Sequence, residues 1–382
     1  MAGPTRESRW QRYCDWLDSW DSGPLSPVKT VWATVVAMLF YHLLVWAWAV
    51  STHGHSWAGM LSHWDSGWYR SIAEQGYTAQ SAAFYPLYPF LSGALARLTG
   101  LPPVFAGTLL STACFLVFVT LVASRLQRQR ELPDDRTGLL PGTPMAWLVL
   151  VFSPASYVFH SNHTESVFLL ISFLALWAGV RKRLLAAAIL GGLAALTRNQ
   201  GVLVAAAAAL LLVRDEPAWP RRLGRFAACG AVSACLYALY PVHLWWKLGD
   251  PLAFLAAQGH WTHARSLSEF FRTFLLLNPW QGFSAGNVLH HAFVIVLAVF
   301  GLLVARRSAA LGLYCLGTVF LFPLQAEFAS TFRFGTVLFP TLFLAGDRAA
   351  RLPRWAQVGL IVGLVCLNGA VARAYAVGRW AY

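Results

Sequence analysis

Apolar runs recur along almost the whole chain, and their lengths set the first expectation. Hydrophobic stretches fall at about 30–50, 103–124, 144–160, 166–180, 184–198, 200–213, 226–246, 290–305, 308–325, 334–346 and 355–372. Many approach the ~20 residues that cross a bilayer core as a helix. The pattern predicts an all-α polytopic membrane protein with roughly eleven transmembrane helices, some of them tilted or broken because they are short. Residues 84–98 are apolar but short and interrupted by Pro86 and Pro89, which predicts an interfacial or re-entrant helix. Two polar stretches, 51–102 and 247–289, are long for connections in a compact protein, where such loops carry function. The expected organisation is a polar segment 1–29, one membrane domain 30–372 and a tail 373–382.

Composition narrows this further. Of 382 residues, 57% are hydrophobic and 12% charged, against about 25% charged in soluble domains. No hydrophilic stretch is long enough for a separate soluble domain, and the apolar content excludes a disordered chain. Residues 1–29 are polar and mixed in charge, without the short apolar core of a cleavable signal. A net charge of +13 in a soluble protein would suggest nucleic acid. In a membrane protein it reports topology, because basic residues collect in cytoplasmic loops. With the N-terminus inside, the segments 1–29, 125–143, 181–183, 214–225, 306–307 and 347–354 face the cytoplasm and hold twenty of the 29 Lys and Arg. The opposite orientation inverts that bias, so both long loops are expected outside. Only three basic residues are lysines; the Arg and Ala bias points to a GC-rich bacterial genome and a plasma membrane, or to the endoplasmic reticulum in a eukaryote.

With this topology ten of eleven histidines lie at or beyond the outer face, and only His42 falls inside a span. No cysteine falls in an outer loop, so no exofacial disulfide is expected. The outer side holds six acids: Asp65, Glu74, Glu165, Asp250, Glu269 and Glu327. Asp65 stands out within His63-Trp64-Asp65-Ser66-Gly67-Trp68-Tyr69. Rings beside a carboxylate suit a sugar site, since they stack on pyranose faces while the carboxylate takes a hydroxyl proton. An interfacial aromatic belt with an incidental Asp has the same composition. Asn162 and Glu165 occupy a short outer hairpin. Arg198 and Asn199 interrupt a long apolar stretch, where an idle arginine is costly. The guanidinium fork of Arg198 suits a phosphate, although a snorkelling arginine at a hairpin also fits. Arg333 lies at the outer end of another span. His160 and His163, like His260 and His263, are three apart, but no HExxH motif or third ligand accompanies either pair, so no metal is assigned.

These residues, taken in order, resemble the PIG-V-type mannosyltransferases. The specific part is Trp64-Asp65-Ser66-Gly67-Trp68-Tyr69-Arg70-Ser71-Ile72-Ala73-Glu74-Gln75-Gly76-Tyr77, followed by Phe84-Tyr85-Pro86-Leu87-Tyr88-Pro89. Collinear pieces follow: Ser153-Pro154-Ala155-Ser156 with Glu165-Ser166, Thr197-Arg198-Asn199-Gln200-Gly201, Gly249-Asp250-Pro251 with Gln258 and Trp261, and Arg333 with Phe339-Pro340. Tyr85 stands where the family more commonly has a second phenylalanine. The resemblance implies a glycosyltransferase C fold and a polyprenyl-phosphate-mannose donor used on the exofacial or luminal side, and for a bacterial chain it leaves the acceptor open; a glycan or glycolipid acceptor and no cofactor are expected.

A lipid phosphate leaves well without protonation, so one base can suffice where a glycosidase needs two carboxylates. The expected roles follow. Asp65 is the general base, and Arg198 and Arg333 hold the donor phosphate. Trp64, Trp68, Tyr69, Asn162, Glu165, Asn199, Gln258, His260 and Trp261 line the sugar sites. Asp65 and Arg198 are expected to face each other across a cavity one sugar wide. A transporter or flippase of a lipid-linked saccharide is the competing class, and a non-catalytic scaffold in envelope assembly a third. Transporters often carry internal repeats, and none is evident here.

Overall fold

The computed structural model describes residues 26–129, 138–259, 285–321 and 330–379, and among these it contains helices and turns but no strand. In chain order the helices are α1 Pro27–His53, α2 Trp57–Met60, α3 Asp65–Gln75, α4 Leu87–Thr99, α5 Pro103–Gln129, α6 Pro144–Val151, α7 Glu165–Val180, α8 Leu184–Ala195, α9 Gly201–Val213, α10 Trp219–Leu248, α11 Ala253–Gln258, α12 Ala285–Arg307, α13 Ala309–Leu321, α14 Thr331–Thr336, α15 Phe339–Ala349 and α16 Arg354–Ala376. Short 3-10 turns cover Ser81–Ala83 and Ser156–His160. Five helices, α1, α5, α10, α12 and α16, are long and apolar enough to cross a membrane alone; α7, α8, α9 and α13 are shorter apolar helices. The chain is a multi-pass membrane protein.

Local chemistry sets several of the boundaries. Ser26 caps α1 by accepting the Lys29 amide at 3.4 Å, Pro27 fits the first turn, and Gly54 closes it at φ 67°. Thr143 and Pro144 start α6 in the same way. The helices α7, α8 and α9 pack on one another, α10 lies against α8, and α13 against α9 and α12. α1 packs on α5, α6 and α16, so the last helix returns beside the first.

Two expected spans are broken. The stretch 144–160 splits into α6 and the 3-10 turn Ser156–His160, and 334–346 falls across α14 and α15. Pro154 and Pro340 lack the amide that would carry the ladder through. Irregular backbone at membrane depth is tolerated only when protein surrounds it, and residues 153–169 and 330–344 are buried throughout. The apolar segment 84–98 largely forms α4, whose 13 residues span only ~20 Å, too short to cross a bilayer core alone; it packs on α5. α16 runs to Ala376, so the expected tail begins inside a helix, and Tyr375 is fully buried.

The segment 51–102 has its own aromatic core. Tyr69, Tyr77, Tyr85, Tyr88, Tyr240 and Phe254 cluster between the loop, α10 and α11. Tyrosine hydroxyls satisfy the loop carbonyls: Tyr77 donates to Phe84 O at 2.7 Å and Tyr240 to Ala82 O at 2.6 Å. The Gln258 amide donates to Ala83 O at 3.0 Å. A loop held this way keeps Asp65 in a fixed place against the bundle.

Candidate active site

Four acidic and basic side chains from four separate segments meet where the 51–102 segment joins the bundle. Asp65 opens α3, Glu165 opens α7, Arg198 lies in the turn between α8 and α9, and Arg333 lies in α14. Arg333 Nη1 stands 2.5 Å from Asp65 Oδ2, and Arg333 Nε stands 3.2 Å from Glu165 Oε1. Arg198 pairs with the same Glu165 oxygen. Its Nη1 also donates to Thr164 Oγ1 at 2.7 Å and its Nε to Gln200 Oε1 at 2.9 Å. The ring of Phe334 lies 4.8 Å from the Arg198 guanidinium and 5.0 Å from that of Arg333.

The order Asp65, Arg333, Glu165, Arg198 alternates in sign and sums to zero, the condition under which charges can be buried. Side-chain exposure is greatest at Asp65, at 16%, against 5% for Arg333, 1% for Glu165 and 7% for Arg198. Asp65 is therefore the most accessible member of the row. Arg333 and Glu165 lie between Asp65 and Arg198, so these two do not face each other directly as the sequence suggested.

Backbone geometry aims the exposed pair. Trp64, immediately before Asp65, has φ 55° and ψ −127°, an outlier for a bulky residue. Its indole donates to Arg379 O at 3.1 Å, and the neighbouring His63 donates from Nδ1 to Tyr375 O at 2.8 Å. Ser330, which precedes α14, has φ 69°. Both helices that carry the Asp65–Arg333 pair are thus entered through left-handed, non-glycine residues. Among the described residues one other exists, Lys182, at the far end of α7. Strain of this kind persists where surrounding structure over-determines it, and it clusters at functional sites.

A reciprocal clasp fixes α3 to the hairpin before α7. Ser66 Oγ donates to Asn162 O at 2.8 Å, and Asn162 Nδ2 donates to Ser66 O at 3.0 Å. Asn162 Oδ1 accepts from Tyr88 at 2.9 Å. The Asn162 amide is thus engaged below the site, which gives it a positioning role in place of the expected sugar contact. Gly201 sets the Arg198 turn, since a Cβ there would lie 2.0 Å from Ala194 O. The turn is tied to the loop by Leu87 N donating to Leu196 O at 3.0 Å.

The other expected residues distribute unevenly. Trp68 stacks on Phe84 with centroids 5.7 Å apart, and Tyr69 meets Phe84 and Tyr88 edge-on. Burial pushes the Tyr69 hydroxyl above its usual range, with the Asp65 carboxylate adding to the shift. Trp64 is 38% exposed beside Asp65. Asn199 uses Oδ1 to accept the Gln200 amide at 2.9 Å, and Gln258 braces the loop at Ala83. His260 and Trp261 lie outside the described residues. His160 hydrogen-bonds His42 at 2.7 Å and His163 hydrogen-bonds Ser161 at 2.8 Å, so this pair does not converge. Among the described residues no group of three or more His, Cys, Asp or Glu could hold a metal.

Sequence reasoning placed Glu165 among the sugar contacts and missed its pairing with both arginines. A partial signal was available: two arginines at the apolar ends of spans need carboxylate partners, and only six acids were expected on their side. Ser66, Thr164, Gln200 and Tyr375, which brace the cluster, carry no comparable signal.

The sequence model of the Mannosyltransferase (PIG-V) family matches residues 46–214, from near the end of α1 to just past α9. That stretch is similar to PIG-V-type mannosyltransferases, as the first-loop signature indicated, and it contains Asp65, Glu165 and Arg198; Arg333 lies beyond it. No curated protein matches the sequence. Among solved structures, the chain is similar to apo ArnT from Cupriavidus metallidurans, at 17% identity and TM-score 0.48, over 90% of this chain and 68% of that one. It is also similar to the apo oligosaccharyltransferase of Archaeoglobus fulgidus, at 12% identity and TM-score 0.41, over 90% of this chain and 56% of that one.

Proposed function

We propose that the protein transfers mannose, with inversion, from a polyprenyl-phosphate-linked donor to a hydroxyl of an exofacial glycan or glycolipid, within a glycosyltransferase C-like architecture. The observation that carries this reading is the buried, charge-balanced row of four side chains whose one accessible member is Asp65. A transferase of this kind needs a base for the acceptor and cations for the leaving phosphate, and the row supplies both. The PIG-V family match supports mannose as the sugar.

In the resting state the carboxylate of Asp65 is occupied by Arg333. A donor phosphodiester brings one negative charge and competes for that guanidinium. As Arg333 turns to the phosphate, Asp65 is released to accept the acceptor's hydroxyl proton. The acceptor oxygen bonds to the anomeric carbon as the bond from that carbon to the phosphate oxygen breaks. The proton rests on Asp65, and the departing lipid phosphate gains one negative charge. Arg333 stabilises that growing charge, with Arg198 behind it through Glu165, and preorganised cations in a water-poor site are effective in this role. Trp64 and Trp68 offer faces for the sugars.

The test is transfer by the purified full-length chain. Polyprenyl-phosphate-mannose should support mannosylation of a lipid-linked glycan acceptor, and GDP-mannose should not. Transfer from the nucleotide sugar alone would overturn the reading.

A further inference from the structure

The two described cavities lie far from the four-residue row. α16 begins at Arg354 and ends beside Tyr375, whose carbonyl accepts from His63 next to Asp65. Its 23 residues cover ~34 Å, about one bilayer core. The start of α16 therefore lies on the membrane face opposite the proposed active site, the cytoplasmic one by the charge pattern.

At that start an open cavity of about 790 Å³ is lined by Arg307, Arg348, Arg351, Arg354, Asp347 and Gln357, among others. Four arginines from the ends of α12 and α15, the connecting turn and the first residue of α16 face a single carboxylate. Asp347 is already engaged: it accepts the Gly142 amide at 3.1 Å and the Thr143 hydroxyl at 2.9 Å. Burial raises its carboxyl above the usual value, against those hydrogen bonds. Among the described residues Arg307, Arg348 and Arg351 form no ion pair within 4.0 Å, whereas the arginines at the outer site are fully paired. Among the described residues the cavity thus carries an excess of positive charge where the site around Asp65 carries none.

A second cavity of about 500 Å³ shares Gly142, Arg307 and Asp347 with the first. Its remaining wall is largely apolar, including Leu140, Val304, Leu311, Phe343 and Leu344. A cationic chamber that shares a wall with an apolar one fits an amphiphile with an anionic head and a hydrocarbon chain. Free phosphate has no use for the apolar arm, and a neutral lipid has none for the arginines.

We propose that this paired cavity is a binding site for a phosphate-headgroup anionic lipid of the facing leaflet, with the phosphate among Arg307, Arg348, Arg351 and Arg354 and an acyl chain against Val304, Leu311 and Phe343. Arginine forks suit phosphate oxygens, and basic pockets between membrane helices bind anionic headgroups. The site is independent of the transfer reaction proposed above.

Native mass spectrometry of the detergent-purified full chain tests it, with phosphatidylglycerol, phosphatidylcholine and inorganic phosphate as separate probes. One phosphatidylglycerol should be retained under conditions that strip phosphatidylcholine, and Arg348→Gln/Arg351→Gln should weaken retention by roughly fivefold for each arginine removed. Arg221→Gln/Arg222→Gln alters two exposed arginines at the start of α10, outside the cavity, and should leave retention unchanged. Thermal unfolding in lipid-free detergent establishes that both double variants fold. Equal loss in both would reduce the effect to general surface charge and overturn the site. Equal retention of phosphatidylcholine, or inorganic phosphate displacing phosphatidylglycerol at similar concentration, would overturn the lipid assignment.

Discussion

Arg333 holds Asp65 by an ion pair of 2.5 Å while its Nε lies 3.2 Å from Glu165. One guanidinium thus links the accessible carboxylate to the buried one. In the proposed reaction the base stays neutralised at rest until another anion claims the same fork.

That link gives Arg333 the larger phosphate role. Arg333→Ala should lower kcat/KM for the donor by roughly 10²–10³-fold, the scale for removing one preorganised donor from a developing charge. Arg333→Lys keeps the charge but loses the fork and should fall between Ala and wild type. Unchanged steady-state kinetics in Arg333→Ala would shift the phosphate role to Arg198.

Glu165 has a different signature. Its side chain is 1% exposed and it pairs with two arginines. Glu165→Gln leaves both guanidinium groups short of charge and should cost about 3–5 kcal/mol of stability. Thermal unfolding in detergent reads this directly, and a midpoint equal to wild type would show that the arginines find other partners.

The clasp between Asn162 and Ser66 can be loosened from behind. A Cβ at Gly107 would sit 1.9 Å from Asn162 Oδ1, whereas one at Gly230 would meet nothing within 4 Å. Gly107→Ala should reduce transfer by up to about 10²-fold through misplacement of α3, and Gly230→Ala should not. Equal activities in the two variants would remove the positioning role of Asn162.

Acid should act on His163, which lies in the hairpin before α7. Burial, with Arg333 nearby, holds its imidazole well below the ordinary value of 6.5, so the folded state keeps it neutral. Below pH 6.5 the unfolded chain takes up a proton that the fold refuses, and stability declines as pH falls toward the lowered value. A series of unfolding midpoints from pH 7.5 down to pH 5 should show a shallower decline in His163→Gln than in wild type. Parallel slopes would remove His163 from the acid response.

Much of the helical architecture was legible because apolar runs report bilayer crossings directly. The interruptions at 152–155 and 337–338 were not, since these residues are apolar enough to extend a span and only the surrounding protein permits them to leave helical geometry. Asp65, Glu165, Arg198 and Arg333 each stood out as charges in or beside apolar sequence. That the arginines need carboxylate partners was legible, but which acid meets which arginine was not: it depends on contacts between α3, α7 and α14, which are far apart in the chain. Asn162 looked like a sugar contact because an amide in an outer hairpin reads the same whether it faces a ligand or a neighbouring backbone. The arginines at 348, 351 and 354 were read only as a topology signal, and their convergence on a cavity emerges once α12, α15 and α16 are placed together.

The central claim is that Asp65 removes the acceptor proton. Asp65→Asn keeps the shape of the side chain, and the measurement is single-turnover mannose transfer from polyprenyl-phosphate-mannose, alongside donor binding by the same preparation. The account predicts a loss of roughly 10²–10⁴-fold in the transfer rate, with donor bound at least as tightly as by wild type, because Arg333 is freed for the phosphate. Near wild-type transfer by Asp65→Asn would contradict it.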